Sequence, residues 1–167
     1  MHSAMRLHVI CTGGTIDKIY FDANSEFQVG EPVVERILRA HNVAFDISLD
    51  GLMRKDSLDI DDADRALIRE RVTASDAQHI LVTHGTDGMV ATAKVLADIP
   101  DKHIVLTGAL QPAAFLGSDA EFNIGCALGA LQCCPAGVYI AMNGSIFPHD
   151  QVRKNRSQHR FEGIEPS

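Results

Sequence analysis

The sequence predicts an α/β fold: a Rossmann-like or flavodoxin-like parallel sheet with helices on both faces, in a single domain. Short apolar runs rich in Val and Ile alternate with amphipathic stretches along the whole chain. Continuous apolar runs of this length favour strands that are buried on both faces, and strand–helix alternation favours parallel neighbours. The 167 residues, 46% hydrophobic and 22% charged, fit one domain with a packed core.

Five segments are predicted as strands because each is short, apolar and bounded by turn-forming residues. In chain order they are Leu7–Thr12, Val43–Leu49, His79–His84, His103–Thr107 and Gly137–Met142.

Four segments between these strands carry apolar residues at helical spacing. The second of them also begins with acidic side chains, which complement the helix dipole. In chain order the predicted helices are Pro32–His41, Asp62–Ala74, Met89–Ile99 and Glu121–Gln132.

The C-terminal segment 143–167 lacks strong periodicity and is partly basic. We expect it to be a loop and a terminal arm of one domain spanning 1–167, without a second domain.

Composition excludes several functional classes. The net charge of −7 and the pI near 5.5 argue against a nucleic-acid partner, since phosphate binding needs clustered Lys and Arg. No apolar run is long enough to span a membrane, and Met1–Arg6 does not resemble the start of a signal peptide. The four cysteines form no C-x-x-C pair, so reduced thiols and a cytoplasmic location are expected. No His pair has metal-site spacing, and no metal or other cofactor is expected.

Two loops place hydroxyl groups where ligands bind in parallel α/β sheets, beyond the carboxyl ends of the strands. The first is Thr12–Ile16, whose Gly-Gly turn presents the Thr15 hydroxyl; the second is His84–Gly88, with Thr86 and Asp87. The Gly-Gly turn lacks the patterns of dinucleotide and P-loop sites. Each loop also has a structural interpretation, the first as a plain β-turn and the second as a helix cap, with His84 packed at the strand end.

Lys154 lies in the polar segment after the last predicted strand. A lysine in such a loop is usually solvated. If Lys154 folds under the site beside Thr86 and Asp87, it can act as a base instead.

In these stretches the chain resembles the bacterial-type L-asparaginase family. The matching motifs occur in the family's order and span nearly the whole chain. They are T-G-G-T-I at Thr12–Ile16, H-G-T-D at His84–Asp87, T-G-A-L-Q-P at Thr107–Pro112, S-D-A-E-F-N at Ser118–Asn123, A-M-N at Ala141–Asn143 and K-N at Lys154–Asn155. The resemblance implies the family's N-terminal catalytic domain without the smaller C-terminal domain, as in short single-domain members.

The resemblance also implies a set of catalytic roles. Thr15 attacks a side-chain amide and forms an acyl-enzyme, and Tyr20 closes over the site and hydrogen-bonds Thr15. Thr86, Asp87 and Lys154 form a second hydroxyl–lysine–carboxylate unit. Amide hydrolysis independently requires a nucleophile and a base together, because a threonine hydroxyl is a poor nucleophile without a base within hydrogen-bond reach.

Substrate binding is implied in the same way. Ser57 binds the α-carboxylate and Asp87 the α-amino group. The implied binding residues are Gly14, Asp56, Ser57, Gly85, Thr86 and Asp87. Leu58 departs from the family, which usually has Gln or Glu there, and no counterpart of a glutamate from the C-terminal domain is identifiable. We therefore expect asparagine to be bound loosely.

The leading hypothesis is an amidohydrolase that converts L-asparagine and water into L-aspartate and ammonia. Two alternatives stay open: a non-catalytic amino-acid sensor on the same fold, and an amidase subunit that supplies ammonia to a transferase. A homodimer or homotetramer is expected, by resemblance and because closed symmetric assemblies are the usual case.

Overall fold

A computed structural model of the chain describes residues 4–21 and 26–165. The termini of the predicted 1–167 domain, residues 1–3 and 166–167, lie outside the described residues. The strands are β1 (Arg6–Gly13), β2 (Lys18–Phe21), β3 (Glu26–Val29), β4 (Asp46–Lys55), β5 (His79–Thr83), β6 (His103–Thr107), β7 (Gly137–Met142), β8 (Ser145–Pro148), β9 (Val152–Asn155) and β10 (Arg160–Gly163). The α-helices are α1 (Val34–Ala40), α2 (Asp62–Ala74), α3 (Met89–Leu96) and α4 (Ala120–Cys133).

The main sheet has six strands in the order β4-β1-β5-β6-β7-β8. The first five are parallel; Val9 of β1, for example, pairs with Leu49 of β4 and Leu81 of β5. Only β8 at the edge runs antiparallel, beside β7. In chain order the parallel strands lie 2-1-3-4-5, which is the flavodoxin-like order. The predicted α/β class is confirmed.

The core lies on both faces of this sheet, because successive strand residues point to opposite sides. Val9 and Leu81 belong to one buried cluster, which includes the apolar faces of α1 and α4. Ile80 and Val82 belong to the other, which includes those of α2 and α3. Fully burying one such side chain stabilises the fold by roughly 1.5–3 kcal/mol, so both helical layers are needed to cover the sheet. The predicted helices on both faces are confirmed.

Helix α2 carries the local signals from which its bounds could be predicted. Asp61 accepts the backbone N–H of Asp64, and the Asp64 side chain accepts that of Asp61, which forms a capping box. Ile68 and Val72, one turn apart, are fully buried. The observed bounds, Asp62–Ala74, are those predicted.

Strand β4 extends further than predicted, to Lys55 rather than Leu49. As an edge strand it alternates half-buried and exposed positions, such as Asp50 and Gly51. A continuous apolar run therefore could not reveal its second half.

Segment 143–167 contains three strands, so the prediction of a loop and terminal arm was wrong there. Strands β9 and β10 form an antiparallel hairpin that buries Val152 and Phe161 in the core. Each strand has four residues and buries only one side chain, which is too little for a visible sequence period. The β2–β3 hairpin was missed because its described side chains are half-buried or exposed and show no alternation of buried and exposed positions.

None of the helices in residues 4–21 and 26–165 is long and apolar enough to cross a membrane. All four cysteines are free thiols. Burial raises the pKa of Cys11 to about 12, so this thiol stays protonated and is unsuited to nucleophilic catalysis.

Candidate functional site

The strand order places a crevice between the carboxyl ends of β1 and β5. The connection from β1 goes to β4 on one side, and that from β5 goes to β6 on the other. Such a switch point is where open α/β sheets bind ligands. Both hydroxyl-bearing loops predicted from the sequence begin here.

The loops after β1 and β5 touch backbone to backbone. Gly14 has φ +89°, and a Cβ there would lie within 3.0 Å of the Gly85 backbone. Only glycine permits both this conformation and this approach. Thr15 and Thr86 each follow one of these glycines. Thr15 is half-buried, and Ile16 beside it is fully buried, which anchors the turn.

Changing Gly14 to alanine should therefore be severe. The added methyl group must displace backbone atoms of Gly85 and adopt a positive φ, so we expect lower stability by a few kcal/mol and loss of any site activity. The matched control is Gly129→Ala in α4, where a Cβ meets nothing within 4 Å. That control should keep or slightly raise stability. Thermal unfolding of both variants measures this, and equal stability of the two would contradict the interpretation.

The loop after β4 supplies Ser57, which is buried against the β5 loop. A Cβ at Gly85 would lie within 3.0 Å of the Ser57 side chain, and one at Gly88 would lie at 3.0 Å from its carbonyl oxygen. Ser57 Oγ accepts the backbone N–H of Asp87 at 3.2 Å. Three loops are thus in direct contact at the crevice.

Asp56, also predicted at the site, helps to shape this loop. Its carboxylate accepts the backbone N–H of Leu58 at 3.4 Å and pairs with Lys18 at 2.9 Å. The hydrogen bond from Lys18 holds the pKa of Asp56 below its usual range. Leu58 is 71% exposed. Asp56 is thus engaged by a cation of its own chain.

Thr86, Asp87 and Lys154 form one connected polar unit. Lys154 Nζ donates to Thr86 Oγ1 at 2.7 Å and to Asp87 Oδ1 at 2.7 Å. Thr86 is buried, and the side chains of Lys154 and Asp87 are 18% and 26% exposed. The structure therefore brings together three of the five predicted catalytic residues.

The β9–β10 hairpin carries Lys154 to the site. Lys154 pairs with Phe161 across the hairpin, and the buried Phe161 ring fixes that register. Asn143, just after β7, accepts the backbone N–H of Phe161 at 2.7 Å. Lys154, which is 68 residues away from Thr86 in sequence, thus lies within hydrogen-bond distance of it.

His84 is a structural residue of the β5 loop. Its Nδ1 lies 2.7 Å from the Gly85 carbonyl and its Nε2 lies 2.8 Å from Thr92 Oγ1. Because a carbonyl can only accept, Nδ1 carries the proton and Nε2 accepts from Thr92. Burial lowers the pKa of His84 to about 4. The imidazole is neutral at pH 7 and orients Gly85.

The motifs at Thr107–Pro112 and Ser118–Asn123 brace the loop after β6. The Asp119 carboxylate accepts the backbone N–H groups of Leu110 and Gln111 at 2.9–3.1 Å. Asn123 donates to the Gly108 carbonyl at 2.8 Å. These residues shape the loop after β6, and none of them belongs to the polar unit of Thr86, Asp87 and Lys154.

Tyr20 lies on the β2–β3 hairpin and is 54% exposed. Its ring packs edge-to-face on Phe27 at 5.7 Å between centroids, and Phe27 packs in the same way on Phe115 at 5.5 Å. Within residues 4–21 and 26–165 no hydrogen bond joins Tyr20 to Thr15, so the structure does not bring these two predicted residues together.

Asp17, two residues after Thr15, was missed from the sequence. It is 2% exposed; Oδ1 accepts the backbone N–H of Val33 at 2.9 Å, while Oδ2 is buried without a partner among the described residues. Its carbonyl oxygen accepts the N–H of Gly30 at 2.8 Å. Burial raises the pKa of Asp17 to about 6, against the opposing effects of Val33 and Arg54. Asp17 therefore fastens the base of the β2–β3 hairpin.

This carboxyl predicts an unusual pH dependence of stability. Between its ordinary pKa of 3.8 and about 6, the unfolded state has lost the proton that the folded state keeps. Stability from this group is therefore full below pH 4 and falls as pH rises, by about 3 kcal/mol in all. Asp17→Asn keeps the acceptor for Val33 and cannot titrate. We expect the wild type to lose about that amount relative to the variant between pH 4 and 7 in urea unfolding; a constant difference would contradict the assignment.

Comparison with known proteins gives a consistent relationship. The family model described as "Asparaginase, N-terminal" matches residues 6–164. The L-asparaginase of Thermococcus kodakarensis is 30% identical over an alignment that covers 92% of this chain and 48% of that protein.

Solved structures agree. The structure titled "The thermostable L-asparaginase from Thermococcus kodakarensis" superposes with a TM-score of 0.85 at 26% identity, covering 98% of this chain and 52% of that one. A structure titled as a probable cytoplasmic L-asparaginase from Campylobacter jejuni gives a TM-score of 0.79 at 26% identity, covering 95% and 51%. The chain spans about half the length of these relatives. With the family match over nearly the whole chain, this shows that the chain belongs to the asparaginase family and has the fold of its N-terminal domain.

Proposed function

We propose that the protein is an amidohydrolase that converts L-asparagine and water into L-aspartate and ammonia through an acyl-enzyme on Thr15. The observation that carries the proposal is the hydrogen-bonded unit of Thr86, Lys154 and Asp87 at the same sheet edge as Thr15. A hydroxyl nucleophile needs a proton acceptor nearby, and a buried hydroxyl on a lysine can relay one. Family membership supports the same reaction class.

The reaction proceeds in two stages. The Thr15 hydroxyl oxygen attacks the side-chain amide carbon of asparagine, and its proton passes to the departing nitrogen, which leaves as ammonia. Water then attacks the ester on Thr15, and its cleavage releases aspartate and restores the hydroxyl. Both stages develop negative charge on the carbonyl oxygen, which needs hydrogen-bond donors at that position.

Lys154 serves as the base of the polar unit. When its amine is neutral, the 2.7 Å contact with Thr86 lets the amine accept the hydroxyl proton. Asp87, at 2.7 Å from the same nitrogen, keeps the amine aimed at Thr86 and stabilises the cation that forms. This arrangement can take a proton from the site and return it in the second stage.

Tyr20 completes the site by closing over Thr15. In the structure it is packed on Phe27 and exposed, so this role requires the β2–β3 hairpin to move toward the crevice. Loop closure of this kind commonly excludes water and completes a catalytic site. Asp17 at the base of the hairpin is positioned to restrain that motion.

Ser57 and Asp87 are the proposed anchors for the two charged groups of the amino acid. The buried Ser57 hydroxyl and the backbone around Gly85 face the α-carboxylate, and Asp87 the α-amino group. One anchor for each charge fixes the orientation of a small zwitterion. Gly14, Asp56 and Thr86 form the remaining surface proposed around the substrate.

The proposal is tested by steady-state release of ammonia and aspartate from asparagine by the purified full chain. Equal amounts of both products at a saturable rate are expected. Saturable binding of asparagine without ammonia would instead support the sensor, which shares the fold but needs no turnover. Ammonia release that requires a co-purifying large partner would support the amidase subunit.

Assembly as a homodimer or homotetramer in the cytoplasm is part of the proposal. Ile124, Leu128 and Leu131 of α4 are buried in the chain's own core and cannot make a subunit contact. The outer face of α4 exposes Phe122 instead, at 64%. We expect light scattering to show a dimer or tetramer at assay concentration, and a fully active monomer would refute this part.

A further inference from the structure

Asp87 is held by two cations of its own chain. Lys154 Nζ and Arg156 Nη2 lie 2.7 Å and 3.2 Å from the same oxygen, Oδ1. The single negative charge of this carboxylate is therefore matched by two neighbouring positive groups when Lys154 is protonated, and by Arg156 alone when Lys154 is neutral. A substrate ammonium group would have to compete with a guanidinium for its anchor.

Two other carboxylates near these loops have partners within the chain. Asp56 pairs with Lys18, and Asp17 is buried and accepts the backbone N–H of Val33. At position 58 an exposed leucine can neither accept a hydrogen bond nor offset a positive charge. Asp87 and Asp56 are thus both paired with cations of the chain, and neither offers an uncompensated negative charge to a substrate ammonium group.

Arg156 is also well placed to bind an anion. It begins a 3₁₀ turn that is capped by Asn155, whose side chain accepts the backbone N–H of Gln158 at 3.2 Å. The turn begins two residues after Lys154, so its position is tied to the polar unit. The Arg156 side chain is 70% exposed, and only one contact to Asp87 is made, which leaves donors of its planar fork for a substrate carboxylate.

We propose that Arg156 determines specificity at this site by recognising the substrate carboxylate while neutralising Asp87, so that the site accepts ω-amides of short dicarboxylates whether or not they carry an α-amino group. This rests on the proposed amidohydrolase function and names a wider substrate class for it. The bond changes are unaltered: the amide C–N bond breaks, ammonia leaves, and water supplies the new carboxylate oxygen.

The test compares kcat/KM for asparagine with that for succinamate, which is asparagine without its α-amino group. We expect the wild type to hydrolyse the two within about tenfold of each other, because the ammonium group gains less than one full charged hydrogen bond. Arg156→Gln leaves Lys154 as the one cation beside Asp87, so an ammonium group competes with one positive group instead of two, and it removes a carboxylate contact shared by both substrates. The asparagine-to-succinamate ratio should then rise by about tenfold.

Arg160→Gln is the matched control. Arg160 lies on the same hairpin, is similarly exposed at 58%, and pairs with Glu162 rather than Asp87. It should leave the ratio unchanged. A purely structural role of Arg156 would lower both activities together and also leave the ratio unchanged, which would overturn the proposal.

The two hypotheses fail differently. If neither amide is hydrolysed, the proposed function itself is wrong. If asparagine is hydrolysed and succinamate reacts more than about tenfold more slowly, a discrimination of the size that one full charged hydrogen bond gives, the amidohydrolase stands and the wider substrate class is refuted.

Discussion

Replacing Thr15 with alanine is expected to lower the rate of asparagine hydrolysis by roughly three to six orders of magnitude, the range seen when a nucleophile is removed. Thr15 is half-buried on a turn whose shape depends on Gly14 and on the buried Ile16, not on its own side chain. The variant should therefore fold normally. Ammonia release per mole of enzyme measures the loss, and circular dichroism with thermal unfolding confirms the fold.

Thr15→Ser is the control for this prediction. It keeps a hydroxyl on the same Gly-Gly turn and should retain measurable turnover. If Thr15→Ala keeps a tenth of the wild-type rate, Thr15 is not the nucleophile, and Thr86 becomes the next candidate.

Replacing Lys154 with methionine is expected to lower the same rate by roughly two to four orders of magnitude, the usual contribution of a positioned base. Methionine has a similar length but cannot accept the Thr86 proton across the 2.7 Å contact. Asp87 would keep one cationic partner, Arg156, so the loop after β5 should hold its shape.

Two variants separate proton transfer from charge and from packing. Lys154→Arg keeps the positive charge beside Asp87 but cannot act as a base at neutral pH, and should be nearly as inactive as Lys154→Met. Arg153→Met changes the preceding residue, which is 64% exposed and pairs with Glu162, and should stay active. An active Lys154→Arg enzyme would show that charge, not proton transfer, is what Lys154 contributes.

The parts of the fold that could be predicted from the sequence are those with strong local patterns. The buried strands read as continuous apolar runs, and α2 begins with a capping box at Asp61 and Asp64. The sequence also predicted that the loops bearing Thr15 and Thr86 lie beyond the carboxyl ends of parallel strands, while the strand order that makes β1 and β5 neighbours came from the structure. The unit formed by Thr86 and Lys154 was expected from family resemblance, and the geometry agrees with it.

What could not be predicted depends on contacts distant in sequence. The β9–β10 hairpin is stabilised by one buried side chain on each strand, Val152 and Phe161. One apolar residue in a four-residue segment gives no pattern from which a strand can be predicted. In the sequence Asp17 looks like an ordinary surface acid. Its contacts in the fold are with residues distant in sequence, Gly30 and Val33. The pairing of Arg156 with Asp87 joins residues far apart in sequence and exists only because the hairpin returns to the sheet edge.

The most direct test of the central claim is the mass of the peptides carrying Thr15 and Thr86 after acid quenching of the enzyme during turnover of asparagine. An ester on a threonine survives acid long enough for peptide mapping, and the acyl group adds the mass of an aspartyl residue. We expect this added mass on the peptide that contains Thr15 and its absence from Thr15→Ala. Acylation of the Thr86 peptide instead, or an actively turning-over enzyme whose Thr15 peptide is never modified, would contradict it.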